Sequence, residues 1–165
     1  MQREDERKLR HNVKMKDKDL GYKNIIKEFK SYKNKTIQAG ILSSAGTNDE
    51  TGTLIAEYAA YNEYGTKDIP ARPFMSMTFD EQNGNWVKSL DSILEKLVNG
   101  GNVDIKKGVS LIGEQMVTDI KETITNRDIL PKLKKSTIRQ KKGSTKTLID
   151  SGNMRDAIHF EIVDK

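Results

Sequence analysis

The sequence contains no cysteine, and this absence removes one class of structure and one class of site. The chain cannot form disulfides or hold a metal through thiolates. No apolar run approaches the roughly 20 residues of a membrane-spanning helix, so we expect no membrane partner. The amino terminus carries charges but no apolar stretch typical of a secretory leader. We therefore expect a protein that stays in the cytoplasm where it is made, unless lysis releases it.

Patterns that indicate catalysis are also missing from the sequence. His11 and His159 are the only histidines, and neither belongs to an H-x-x-x-H or H-E-x-x-H pattern. Walker, G-x-G-x-x-G and G-x-S-x-G motifs do not occur. We interpret the acidic pairs Asp49–Glu50 and Asp80–Glu81 as solvated turns rather than metal ligands. The sequence predicts no enzyme, with no catalytic residue, no cofactor and no metal.

Charge is abundant but unevenly distributed. Residues 1–35 hold 12 Lys/Arg against 6 Asp/Glu, residues 36–130 hold 8 against 14, and residues 131–165 hold 9 against 4. Basic ends of this kind can bind nucleic acid, or they can dock on acidic neighbours in an assembly. The aromatic residues of the first block, Tyr22, Phe29 and Tyr32, fall on the apolar face of a predicted helix rather than forming a stacking surface, which favours docking. With 35% hydrophobic and 32% charged residues, a modest core completed by neighbouring subunits is expected.

Apolar periodicity predicts an α+β fold. Spacings of three and four predict amphipathic helices over 22–32, 85–98 and 104–125. Asp104 can cap the last of these, and a close helix or strand contact would explain Gly113 in its interior. A shorter helix should follow Thr53 as N-cap, and a short turn should begin at Ser136 and stop at Gly143. Period-two alternation predicts strands over 36–42, 73–79 and 157–163. We expect a small, mainly antiparallel sheet packed with the two long helices, plus a charged amino-terminal helical extension.

The segment that follows Gly65 has the composition of a stiff, exposed arm. Gly65 suits a positive φ and should end the preceding helix. Pro70 and Pro73 fix their own φ and push the residues before them toward extended backbone. Such an arm would aim Arg72 and Phe74 in set directions.

Two interpretations of this arm stay open on the residues alone. As a subunit contact, Arg72 would pair with a neighbour's carboxylate and Phe74 would fill a neighbour's pocket. As an internal brace, Arg72 would be satisfied by Asp68 or Glu63 of its own chain. We predict the subunit contact, because a rigid exposed projection is otherwise unexplained.

A second compact pattern lies near the carboxyl terminus. The segment 148–155 reads L-I-D-S-G-N-M-R and precedes the predicted last strand. Asp150 or Ser151 could cap a one-turn helix there. We interpret Asp150, Gly152 and Arg155 as a structural turn in which the aspartate and the arginine form a local pair.

These two patterns together resemble a known family. Tyr64-Gly65-Thr66 followed by Ile69-Pro70-Ala71-Arg72-Pro73-Phe74 is similar to the signature of the small neck and tail-completion proteins of tailed bacteriophages, also found in phage-derived contractile particles. Leu133–Thr137, Lys142–Gly143 and Leu148–Arg155 follow in the same order. The likeness covers roughly residues 36–163, and the extension over residues 1–35 is longer than the family pattern.

The resemblance implies a structural virion protein. Such a subunit forms a ring, a homohexamer, at the head-proximal end of a tail, in the neck of the virion. It joins the tail terminator, tube or sheath to the collar or head-completion connector proteins, where a DNA channel runs. Virion assembly would take place in the cytoplasm of the bacterial host. By this resemblance residues 36–165 form a tail-completion-like domain, with its subunit interface at Tyr64, Gly65, Thr66, Ile69, Pro70, Ala71, Arg72, Pro73 and Phe74. The alternative function is a nucleic-acid-binding protein that uses the two basic blocks.

Overall fold

The structure, a computed structural model, describes residues 21–48, 52–101, 103–141 and 145–165. These residues form an α+β fold in which helices pack on a two-stranded antiparallel sheet, which confirms the predicted class. In chain order the elements are α1 (Tyr22–Tyr32), β1 (Lys35–Gly40), a 3₁₀ turn (Ser43–Ala45), α2 (Ile55–Tyr64), α3 (Phe74–Val98), α4 (Ile105–Asn126), α5 (Lys135–Gln140), α6 (Asn153–Asp156) and β2 (His159–Asp164).

The sheet joins two segments from near opposite ends of the described chain. Lys35 lies opposite Asp164, and Gly40 lies opposite His159. Helix α4 packs against both strands. A Cβ added to Gly113 of α4 would lie 2.3 Å from Cδ2 of Phe160 on β2, so the predicted close contact at this glycine is confirmed.

Helix α3 differs most from its prediction, because it begins where a strand was expected. Residues 73–79, predicted as a strand, lie at the start of one continuous helix, and the Asp80–Glu81 pair, interpreted as a solvated turn, lies within it. The carboxylate of Glu63 accepts the backbone N–H groups of Met75 and Ser76 at 2.8 and 2.9 Å, and the Ser76 hydroxyl at 2.6 Å. A carboxylate from the preceding helix therefore satisfies the free amides of the first turn, where the helix dipole also favours negative charge.

The buried face of α3 explains why the alternation of apolar and polar residues over 73–79 wrongly indicated a strand. Phe74 and Thr78 are both 1% exposed and stand four residues apart, one helical turn. The Thr78 hydroxyl donates to the Phe74 carbonyl at 2.7 Å and accepts the hydroxyl of Thr123 on α4, with 2.8 Å between the two oxygens. A polar residue thus occupies the core face of the helix, so the spacing of apolar residues alone does not indicate that face. The sheet has two strands rather than the three predicted, because this segment is helical.

Other local predictions have mixed outcomes. Asp104 caps α4 by accepting the Lys107 N–H at 3.0 Å, and Gly65 ends α2 with φ 77, both as predicted. Thr53 is not the N-cap of α2, because the helix begins one residue later and Leu54 holds that position without a side-chain cap.

Two apolar clusters form the core of the described chain. The larger contains Ala59, Phe74, Ile120, Ile124, Ile129, Leu148, Met154 and Ile158. The smaller contains Leu97, Ile105 and Val109, and Ile25 and Tyr32 of α1 pack against it. The predicted helix over 22–32 is therefore confirmed, although none of its residues is fully buried.

Some predictions fall on residues outside the described ranges. These are the charged arm before residue 20, His11, the Asp49–Glu50 turn and the stop at Gly143. Of the second acidic pair, Asp80 and Glu81 lie in α3, where Glu81 forms an ion pair with Arg127. No helix in the described part of the chain is long and apolar enough to cross a bilayer.

Candidate functional site

A cleft of about 1030 Å³ opens where three loops meet. Its walls come from segments 66–72, 131–137 and 147–154, which largely coincide with the two patterns that carry the family resemblance. Arg72 Nε donates to the carbonyl of Pro131 at 3.2 Å and links the first segment to the second. We call it the cationic cleft, after the basic side chains in its lining: Lys67, Arg72, Lys132, Lys134 and Lys141.

Hydrogen bonds close the first wall into a tight loop. The Thr66 N–H donates to the Ile69 carbonyl at 2.7 Å, and the Thr66 hydroxyl accepts the N–H groups of Asp68 and Ile69 at 3.2 and 3.0 Å. The Arg72 N–H donates to the Asn62 carbonyl at 2.6 Å, which returns the chain to α2. The segment therefore folds back on its own helix rather than projecting as predicted.

Gly65 allows this return. A Cβ at Gly65 would lie 2.8 Å from the backbone nitrogen of Ala71, and its φ of 77 also favours glycine. The loop leaves part of the predicted interface accessible. Tyr64 is 80% exposed. Thr66, Pro70 and Ala71 are exposed as well, whereas Gly65, Ile69 and Pro73 are half-buried.

The side chain of Phe74 is not available to fill a pocket of a neighbouring subunit, so this part of the interface prediction is wrong. It is 1% exposed and belongs to the larger core cluster of its own chain. The reason is the start of α3: Pro73 holds the N-cap position, and the next residue falls on the buried face of the helix.

Arg72 is the most buried cation of the cleft, at 7% exposure. Neither carboxylate proposed for an internal brace pairs with it. Within the described residues its guanidinium forms no ion pair, and the Glu63 carboxylate is engaged by the first turn of α3. Burial lowers the pKa of Arg72. A guanidinium that is largely dehydrated and lacks a carboxylate partner attracts an anion more strongly than a solvated one.

Lys141 organises the opposite wall. Its ammonium donates to the carbonyl oxygens of Lys146 and Ile149, each at 2.7 Å, and to that of Thr147 at 3.3 Å. Burial lowers the pKa of Lys141; Asp150 opposes this effect, and the charge of Arg72 adds to it. The sequence showed only a basic connector here, with no signal that would single out this lysine.

The carboxy-terminal turn differs from its prediction. Gly152, with φ 93, holds the N-cap of α6, so neither Asp150 nor Ser151 does. Arg155 Nε pairs with Asp156 Oδ1 at 2.8 Å rather than with Asp150. The carboxylate that directly follows Arg155 reaches its guanidinium without crossing the turn.

A serine, a histidine and a glutamate also come together, beside the sheet. Ser44 Oγ lies 2.9 Å from His159 Nε2 and donates to Glu161 Oε1 at 2.7 Å. His159 Nδ1 lies 2.9 Å from the carbonyl of Ala157. In a catalytic triad the acid orients the histidine through the nitrogen that does not face the serine. Here the acid shares the serine's side of the ring, so the arrangement ties the 3₁₀ turn to β2.

No protein-family model matches this chain, and no curated protein or solved structure is significantly similar to it. Among the described residues, no group of three or more His, Asp or Glu is placed to hold a metal ion. The cationic cleft is the feature in which sequence pattern and three-dimensional structure coincide.

Proposed function

We propose that this chain is a structural subunit of a phage tail or phage-derived contractile particle. In this role it is a neck or tail-completion protein that assembles into a homohexameric ring. The ring joins the tail terminator, tube or sheath to the collar or head-connector proteins.

One observation carries the proposal: both patterns that resemble the family meet at one cleft. The lining of the cleft holds Thr66 and Arg72 of the first pattern together with Leu133 and Leu148 of the second. Arg72 also donates to the carbonyl of Pro131, two positions before the second pattern begins. Segments that are distant in sequence and adjacent in space are expected when both build a single contact surface. This convergence supports a shared role for the two patterns. Their order along the chain alone gives no such support.

A second surface also supports a subunit role. Helices α1, α3 and α4 border a mainly apolar groove of about 440 Å³. Its lining includes large apolar side chains that stand partly in solvent: Phe29, Phe79, Val87 and Leu90. Contiguous apolar surface of this kind is typical of faces that another molecule covers.

The proposal is tested by locating the chain and measuring its mass. Intact particles labelled with a gold-tagged antibody should carry the label at the head-proximal end of the tail. Sedimentation of the purified chain over a concentration series should show a ring-sized species. A chain that is absent from particles and monomeric at every concentration would contradict the proposal.

The structure also gives the nucleic-acid-binding alternative one favourable observation. Lys132, Lys134 and Lys141 of the cationic cleft all come from the basic carboxy-terminal block. A duplex binder should lose affinity steeply as salt rises, because each phosphate contact releases counterions. Titration of fluorescent duplex DNA between about 50 and 200 mM salt separates the two functions, since a ring subunit should bind little at either end.

A further inference from the structure

The charge of the cationic cleft is not balanced by its own lining. Five basic side chains face two carboxylates, those of Asp68 and Asp150, among the described lining residues. Arg72 is deeply buried and forms no ion pair within the described residues. The ammonium group of Lys141 donates its hydrogen bonds to backbone carbonyl oxygens rather than to a carboxylate. A negative group of another molecule would complete this arrangement.

We infer that the cationic cleft receives a carboxylate-bearing segment of a second copy of this chain. The inference rests on the proposed ring function and specifies how its subunits engage. It also reverses the role predicted for the segment after Gly65. That loop forms one wall of a receptor, and the projecting group comes from the neighbour.

The lining favours a peptide over a nucleic-acid backbone. Asp68 and Asp150 would repel a continuous row of phosphates, whereas a peptide can present one acidic side chain between neutral ones. Ile69 and Leu148 give the cleft apolar surface beside its charges. The planar guanidinium of Arg72 suits a carboxylate, which it can bind through two parallel hydrogen bonds.

The same chain supplies a complementary partner surface. Residues 36–130 hold 14 acidic against 8 basic residues, whereas residues 131–165 are basic. On the two long helices, four exposed carboxylates stand among exposed lysines and can each be presented singly to a neighbour: Asp91, Glu95, Glu114 and Glu122. A basic cleft on one subunit that receives such a carboxylate from the next forms a head-to-tail contact, which closes into a ring when the rotation permits.

A zero-length cross-linking experiment tests the inference directly. The full-length chain is prepared in normal and in nitrogen-15-labelled form, the two are mixed under assembling conditions, and carbodiimide couples lysines to touching carboxylates. Mass spectrometry then distinguishes links between copies from links within one copy. We expect mixed-isotope links from Lys132 or Lys134 to acidic residues in 36–130. Cleft lysines that link only to Asp68 or Asp150 of their own copy would overturn the inference.

Charge reversal provides the matched comparison. Lys132→Glu combined with Lys134→Glu changes two exposed cleft residues, and Lys135→Glu combined with Arg139→Glu makes the same charge change outside the lining. The cleft variant should weaken self-association about tenfold or more, and the control should retain it within about twofold. Thermal unfolding establishes that both variants fold.

The outcomes separate the inference from the function on which it rests. Normal rings from the cleft variant would disprove the cleft as receptor while leaving the ring function intact. A wild-type chain that never assembles and is absent from particles would refute both. Loss of duplex DNA binding by the cleft variant, with self-association unchanged, would assign the cleft to phosphate and overturn the carboxylate.

Discussion

The carboxylate of Glu63 holds Ser76 twice, through its backbone N–H at 2.9 Å and through its hydroxyl at 2.6 Å. Glu63 is 6% exposed, whereas Met75 is half-buried and Ser76 is exposed. We predict that Glu63→Ala lowers the free energy of unfolding by about 1 to 2 kcal/mol, because it removes the charged acceptor of two amides in the first turn of α3. Urea denaturation followed by circular dichroism measures this loss.

Glu63→Gln is the informative control for that substitution. It keeps an acceptor oxygen but loses the negative charge at the helix start, so about half of the destabilisation should remain. If Glu63→Ala unfolds within about 0.5 kcal/mol of the wild type, the remote cap does not stabilise α3.

Two of the three glycines inside the long helices, Gly84 and Gly113, should respond in opposite directions to alanine. At Gly84 in α3 an added Cβ meets nothing within 4 Å, so Gly84→Ala should stabilise by about 0.5 to 1 kcal/mol. At Gly113 the added Cβ would lie 2.3 Å from Phe160, so Gly113→Ala should destabilise by about 1 to 3 kcal/mol. Chemical denaturation compares the two variants.

A double substitution identifies the cause at Gly113. Phe160→Leu removes the ring that a methyl group would strike, so its cost and that of Gly113→Ala should be less than additive. Strict additivity would show that the α4–β2 contact is not the reason for the glycine.

Tyr64 tests the accessible corner of the predicted interface. It is 80% exposed, so Tyr64→Ala should leave the melting temperature nearly unchanged. If this corner touches a neighbour, the same substitution should weaken self-association, since a tyrosine at the centre of a contact often contributes about 2 kcal/mol. Tyr22→Ala, which changes a residue 69% exposed on α1, is the matched control. Equal association of the two variants would remove Tyr64 from the interface.

The carboxylate of Glu161 predicts a pH effect on stability. The Ser44 hydroxyl, and next His159, hold the pKa of Glu161 below its ordinary value of 4.5. Because the folded pKa is the lower one, the stabilisation is complete above the unfolded value and is lost as pH falls through the folded value. Melting temperatures from about pH 6 to 3 should fall less steeply for Glu161→Gln than for the wild type. Identical slopes would show that this carboxylate is not linked to folding.

Periodicity in the sequence was sufficient for the elements that bury one regular apolar face. Helix α4 was predicted nearly to its ends, because Ile105, Val109, Ile112, Ile120 and Ile124 are all buried at helical spacing. Helix α3 lacks such a face at its start, because Thr78 occupies the core face and Glu63, outside the helix, provides the cap. Long-range hydrogen bonds of this kind leave no local pattern for a sequence window to detect.

The sequence indicated which segments belong to the candidate site, but it did not indicate that they meet in one cleft. The proline-rich stretch and the L-I-D-S-G-N-M-R stretch were both singled out, and both line the cationic cleft. Their union depends on the bond from Arg72 to Pro131 and on the three bonds of Lys141. The burial of Phe74 likewise follows from where α3 begins, which the alternation had concealed.

The pairing of β1 with β2 has a consequence for how the chain folds during synthesis. Lys35 and Asp164, which form an ion pair at 2.5 Å, leave the ribosome at widely separated times. The helices between them can form from local contacts, but the sheet must wait until β2 has emerged. Until then, the surface of α4 around Gly113 lacks the phenyl ring of Phe160 that covers it in the folded chain.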